Sequence, residues 1–211
     1  GKTYGTLVFS QQQGEARTIV AQGGGVMNTF KLNAIDYEDN QHYYLDHYFL
    51  NNYDKALLNY PQINSRISIT RIEAWVLDQG SGNLQDQKGI LGIRDLGEGI
   101  SGFPDNSQNN LYQSIVGLGT AIRDVNTAYN AVNGQSFPNA NGSLEPYVDG
   151  EQFIFNRKAR RLNQNEYTFN PQLGYISLNQ RLNDNQLLAV SYSFTLNGDN
   201  KVYKVGDFSE E

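Results

Sequence analysis

Along residues 187–196, Leu188, Val190, Tyr192, Phe194 and Leu196 alternate with Ala189, Ser191, Ser193 and Thr195. A period of two predicts a strand with one buried face and one wet face. Shorter runs predict further strands over residues 152–155, 167–169, 175–178 and 201–205, and Asn197-Gly198 is a hairpin signal. Earlier in the chain, the β-branched run at 67–77 holds the single Trp75 and predicts a central strand. Residues 78–89 read as a polar loop, and 90–96 as another strand. Residues 6–10 and 16–22 predict an N-terminal hairpin, followed by a brief strand at Phe30 and Leu32.

Two stretches change period. From Gln41 onward, Tyr44, Leu45, Tyr48, Phe49, Tyr53, Ala56 and Leu57 recur at helical spacing until Asn59-Tyr60-Pro61 stops them. Leu111, Ile115, Leu118, Ile122, Val125, Tyr129 and Val132 step by four and three, which predicts one helix of about six turns. Asn133-Gly134 closes it, with glycine free to take the left-handed position. The expected fold is α+β, antiparallel sheets with two main helices packed against them; a β-sandwich is the alternative and fails if both helices form. The expected organisation is a mixed part over 1–133, a polar linker over 134–150 and an antiparallel β part over 151–211, with one compact domain overall as the other arrangement.

Composition narrows the function classes. The 211 residues carry a net charge of −6, which argues against nucleic acid, because phosphate neutralisation needs clustered cations. There is no cysteine, so disulfides and thiolate chemistry are excluded. Aromatic residues make up 12% of a chain that is only 38% hydrophobic, and 42 Asn and Gln residues point to a polar surface of turns over an aromatic core. No run approaches the ~18–20 apolar residues of a membrane helix. The opening Gly1-Lys2-Thr3 lacks a signal-peptide pattern and leads us to expect a piece of a longer protein.

Candidate chemistry is sparse. Gly97, Gly99 and Gly102 match GxGxxG after a strand, but a nucleotide site needs a helix opening at the third glycine, and Phe103-Pro104-Asp105-Asn106 intervenes. His42 and His47, five apart on a helix, point in different directions and suit solvated surface positions rather than a shared metal. Asp36, Glu38, Asp39 and Asn40 lack the calcium-loop template, and a helix start accounts for them through capping and the macrodipole. No carboxylate pair stands out among 22 acidic residues, and neither histidine sits near a GxSxG elbow. We therefore expect no catalytic residue, no metal and no cofactor. Arg157, Lys158, Arg160 and Arg161 place four cations in five positions; they read as a solvated approach to a hairpin or as a contact for anionic headgroups or an acidic partner.

The run Ala159-Arg160-Arg161-Leu162, then Glu166-Tyr167-Thr168-Phe169-Asn170-Pro171-Gln172-Leu173-Gly174-Tyr175-Ile176-Ser177-Leu178-Asn179, then Leu187-Leu188-Ala189-Val190-Ser191-Tyr192, resembles the N-terminal-type module of the SprA (Sov) family. Tyr44-Leu45-Asp46-His47-Tyr48-Phe49-Leu50-Asn51-Asn52-Tyr53 agrees with it, as does Ile63-Asn64-Ser65 leading into Ile69-Thr70-Arg71-Ile72-Glu73-Ala74-Trp75-Val76. The resemblance implies a slice of a giant outer-membrane β-barrel translocon of the type IX secretion system in Bacteroidetes-type bacteria, needed for gliding motility where that occurs. It implies a non-catalytic structural module on an aqueous side of the outer membrane, shaping the pore region. Its implied partners are the rest of the barrel, accessory proteins and secreted cargo. A cell-surface carbohydrate-binding module and a hydrolase are the rival expectations from the residues alone.

Overall fold

A computed structural model describes residues 37–78, 87–98, 102–139 and 141–210. The chain divides into two compact units, Gly1–Asp39 and Asn40–Glu211. The second unit contains β1 (His42–Tyr44), α1 (His47–Leu57), β2 (Ile67–Asp78), β3 (Gln87–Ile93), α2 (Asn110–Val116), α3 (Val125–Val132), β4 (Ser136–Pro138), β5 (Leu144–Pro146), β6 (Phe153–Arg161), β7 (Tyr167–Asn170), β8 (Tyr175–Leu178), β9 (Gln186–Leu196) and β10 (Val202–Val205). The hairpin expected at 6–22, the strand at Phe30 and Leu32, and most of the loop at 78–89 lie outside the described residues.

The β-branched run does become a central strand. β2 lies third in an antiparallel sheet ordered β10-β9-β2-β6-β3, and β1-β8-β7 form a second sheet. Residues 134–150 contain the small β4-β5 hairpin, and strands from before and after that stretch are neighbours in the five-stranded sheet. The architecture is α+β, as the patterning predicts; the sandwich alternative fails because helices form.

Alternation along β2 and β9 divides the core. On one face, Ala74 and Val76 pack with Leu162, Tyr167, Ile176 and Leu178. Next to them, Ile67, Ile69, Tyr192, Phe194 and Val205 receive Phe49 of α1. Gly174, at φ +62°, lies so close to the Phe49 ring that a β-carbon there would collide with it. On the other face, Trp75 and Leu77 cluster with Ala159, Ile90, Ile154 and Ala189.

Three expectations need correction. The face of β9 carrying Ser191 and Ser193 is not wet, and both residues are buried. After β10, residues 206–210 leave the sheet edge and cross this face. Gly206 lies against Ser191, Phe208 takes the Arg71 guanidinium 4.0 Å from its ring centre, the Ser209 amide bonds to Glu73, and Glu210 bonds to Arg161. A two-residue period reports which side a residue faces; it cannot report what a remote segment lays over that side.

The six-turn helix is also interrupted. α2 ends at Gly117, Gly119 takes φ +55°, a 3-10 turn spans Gly119–Arg123, and Asp124 caps a new helix by accepting from the Thr127 amide at 2.8 Å. Glycine is costly in a helix interior and aspartate prefers the cap, so the local chain breaks although the stripe continues. Leu111, Ile115 and Val132 are buried, and Leu118, Ile122 and Tyr129 pack beside them. Gly134 holds φ +96° just beyond α3, as expected of a closing glycine.

The first helix begins later than its period suggests. Residues 42–44 pair with β8 as a strand, and Asp46 caps α1 by accepting from the Tyr48 amide at 2.8 Å. The acidic cluster at 36–40 therefore does not cap this helix, and Asp36 lies outside the described residues.

Candidate functional site

Cleft and polar groups concentrate on the sheet face crossed by residues 206–210. Beyond the register shift between Ile69 and Arg71, β2 turns Arg71, Glu73, Trp75 and Leu77 to this side, and Glu73 stands opposite Ser191 of β9. Glu73 is 2% exposed. Its Oε1 accepts from Trp75 Nε1 at 2.8 Å and from the Ser209 amide at 3.1 Å. Its Oε2 pairs with Arg161 Nη2 at 3.5 Å, outside hydrogen-bond geometry, and makes no hydrogen bond among the described residues. Ser191 Oγ also makes none. Arg161 bonds to Glu210 Oε1 at 2.7 Å; that bond above all, with the charge of Glu73, raises the guanidinium pKa and keeps it charged. A cleft of ≈ 1010 Å³ is lined in part by Glu73, Trp75, Leu77, Ser191, Phe208 and Ser209.

A second polar group gathers at the start of α1. Burial raises the Asp46 carboxyl to about 6; the Tyr48 amide works against the shift, and the charge of Glu98 adds to it. Tyr192 Oη donates to Asp46 Oδ2 at 3.4 Å, and burial pushes the Tyr192 phenol well up. Glu98 Oε1 accepts from both the His47 amide and His47 Nδ1, each at 2.8 Å. Gly97, at φ +91°, permits this approach, since a β-carbon there would fall 2.9 Å from Val205 and 3.2 Å from Asp46 Oδ2. These contacts suit a fastening between the 97–98 turn and the helix cap.

The residues singled out in the sequence scatter. Gly102 is followed by a single 3-10 turn at Asn106–Gln108, so no helix N-terminus forms where a pyrophosphate would need one. His42 Nδ1 bonds to Ser177 Oγ at 2.8 Å while His47 meets Glu98, and the two imidazoles serve different neighbours. No group of three or more His, Cys, Asp or Glu arranged for a metal occurs among the described residues. The four cations lie within β6 itself, on a strand longer than the one expected at 152–155. Arg160 pairs with Glu166 at 2.9 Å and Arg161 with Glu73 and Glu210. Arg157 donates to Asn126 Oδ1 at 3.0 Å and sits 5.1 Å from the Phe155 ring centre. Lys158 donates its amide to Asn156 Oδ1. β6 thus spends much of its positive charge within the fold. Glu73 and Ser191 were missed because neither stands in a motif of catalytic or ligand-binding spacing. The available signal was a charged residue inside a β-branched run, two positions before the only Trp.

Residues 2–95 match the family model SprA_N, described as motility related/secretion protein. The SprA-family resemblance of the sequence holds. The matched stretch contains β1, α1, β2 and β3, and with them Asp46, Glu73 and Trp75; β6 to β10 lie beyond it. The SprA_N match ties the chain to motility and secretion, which fits association with the cell envelope. No curated protein matches the chain. Among the described residues, no helix is long and apolar enough to cross a membrane.

Proposed function

We propose that this chain is a non-catalytic structural module of an outer-membrane protein translocon, the type IX secretion pore that also serves gliding motility in Bacteroidetes-type bacteria. The SprA_N match carries this reading. The module stands on an aqueous side of the outer membrane, shapes the pore region, and contacts the rest of the barrel, accessory proteins or cargo. It uses no cofactor and binds no nucleic acid. In support, Glu73, Glu98, Glu166 and Glu210 are engaged in ion pairs or hydrogen bonds, and Asp46 in a helix cap.

The test replaces residues 40–211 by a flexible linker in the intact protein and measures cargo release and surface spreading. Loss of both, with the barrel still inserted at normal abundance, is the expected result. Undiminished secretion and spreading defeat the reading. Turnover of a small molecule by the purified chain, abolished by one acidic substitution, defeats its non-catalytic part.

A further inference from the structure

Glu73 and Ser191 are paired across β2 and β9, on the same sheet face, and each presents one buried oxygen without a hydrogen bond among the described residues; Glu73 Oε2 faces the Arg161 guanidinium at 3.5 Å, which the Glu210 carboxylate also holds. Directly paired residues hold their β-carbons about 4.5–5.5 Å apart, so one donor group can reach both side chains. A carboxylate offers acceptors alone, which requires a donor from the ligand; an ammonium has three donors and no acceptor. Beside the pair lie Trp75, Leu77, Ile90, Ile154 and Ala189, an apolar wall suited to a hydrocarbon stem. In the lining of the ≈ 1010 Å³ cleft, acidic residues outnumber lysines and arginines six to three, a balance that favours a cation.

We propose that this face of the sheet binds a primary ammonium carried on an apolar stem, as a lysine side chain or a free alkylamine presents it, with Glu73 Oε2 and Ser191 Oγ as acceptors. Both oxygens are sealed in the present structure, since Gly206 lies against Ser191 and Ser209 bonds to the other oxygen of Glu73. The ammonium reaches them by displacing residues 206–209 of the crossing segment, and the stem occupies the adjoining cleft. The inference concerns a ligand site and stands apart from the translocon reading.

Trp75 is the only tryptophan and donates its indole N–H to Glu73, so its emission reports on the site directly. The 211-residue chain is titrated with butylamine, with an end-blocked Gly-Lys-Gly peptide, with the norleucine counterpart of that peptide, and with methyl glucoside. A saturable change with an amine is expected, and binding of the norleucine peptide about tenfold weaker or worse. Response to the lysine peptide alone identifies a protein side chain as the source, and response to butylamine alone a free amine. Ser191→Ala should weaken amine binding about fivefold and Glu73→Gln more than tenfold. If Glu73→Gln does not fold, as judged by circular dichroism, Ser191→Ala decides. No saturation with either amine, equal binding of norleucine or glucoside, or unchanged affinity in Ser191→Ala overturns the proposal and leaves the two oxygens to ordered water.

Discussion

Asp46 caps α1 from a site that solvent barely reaches, with Tyr192 and Glu98 beside it. Its folded pKa, about 6, lies above its ordinary 3.8, so the folded state holds the extra proton between those values. Stability from this group is therefore greatest at low pH and declines as pH rises through about 6. Glu166 acts in the opposite sense: its bond from Arg160 lowers its pKa, and its contribution disappears as pH falls. Asp46→Asn keeps an acceptor for the Tyr48 amide and removes the buried charge. Denaturant melts should show it more stable than the parent by about 1–2 kcal/mol at pH 8, with the gap closing toward pH 4. An equal gap at both pH values would show that burial does not set this pKa. At Gly174, the Phe49 ring and a positive φ act together, and Gly174→Ala should cost about 2–4 kcal/mol in the same melts.

At the scale of elements, the broken helix and the crossing segment respond to different substitutions. Gly117 has ordinary helical angles and open space around its α-carbon, so Gly117→Ala should stabilise by about 0.5–1 kcal/mol. Gly119, two residues on, needs φ +55°, and the same change there should destabilise by about 1 kcal/mol. Thermal unfolding of the two variants would reveal opposite shifts if the interruption is intrinsic; two upward shifts would mean that the chain prefers a continuous helix. Phe208 is 4% exposed and stacks under Arg71, so Phe208→Ala should cost about 3 kcal/mol and raise hydrogen exchange at the Ser209 amide. The strands of β7 to β10 were legible because each alternates between well-placed turn residues, Asn197-Gly198 among them. The helix period was legible only as a stripe, since glycine and aspartate altered the backbone without altering which residues face the core.

For the whole molecule, chain order concealed the main partnerships. β2 lies between β9, more than a hundred residues later, and β6, and its two faces feed different cores. Removing the β6 cations by changing Arg160 and Arg161 together should therefore lower stability more than it alters binding to anionic vesicles, because both already pair with carboxylates. Vesicle co-sedimentation lost while the melting curve stays unchanged would reverse that view. The amino-acid order by itself determined the α+β class, most strand positions and the SprA-family resemblance, since side-chain alternation, turn chemistry and local motifs are carried by neighbouring residues. Only the tertiary structure decided that Ser191 is covered, that Glu73 is buried against Trp75 and Arg161, and that Arg160 and Arg161 of the basic run pair with carboxylates. Those outcomes depend on segments distant in the chain meeting in space, and no local period records such a meeting.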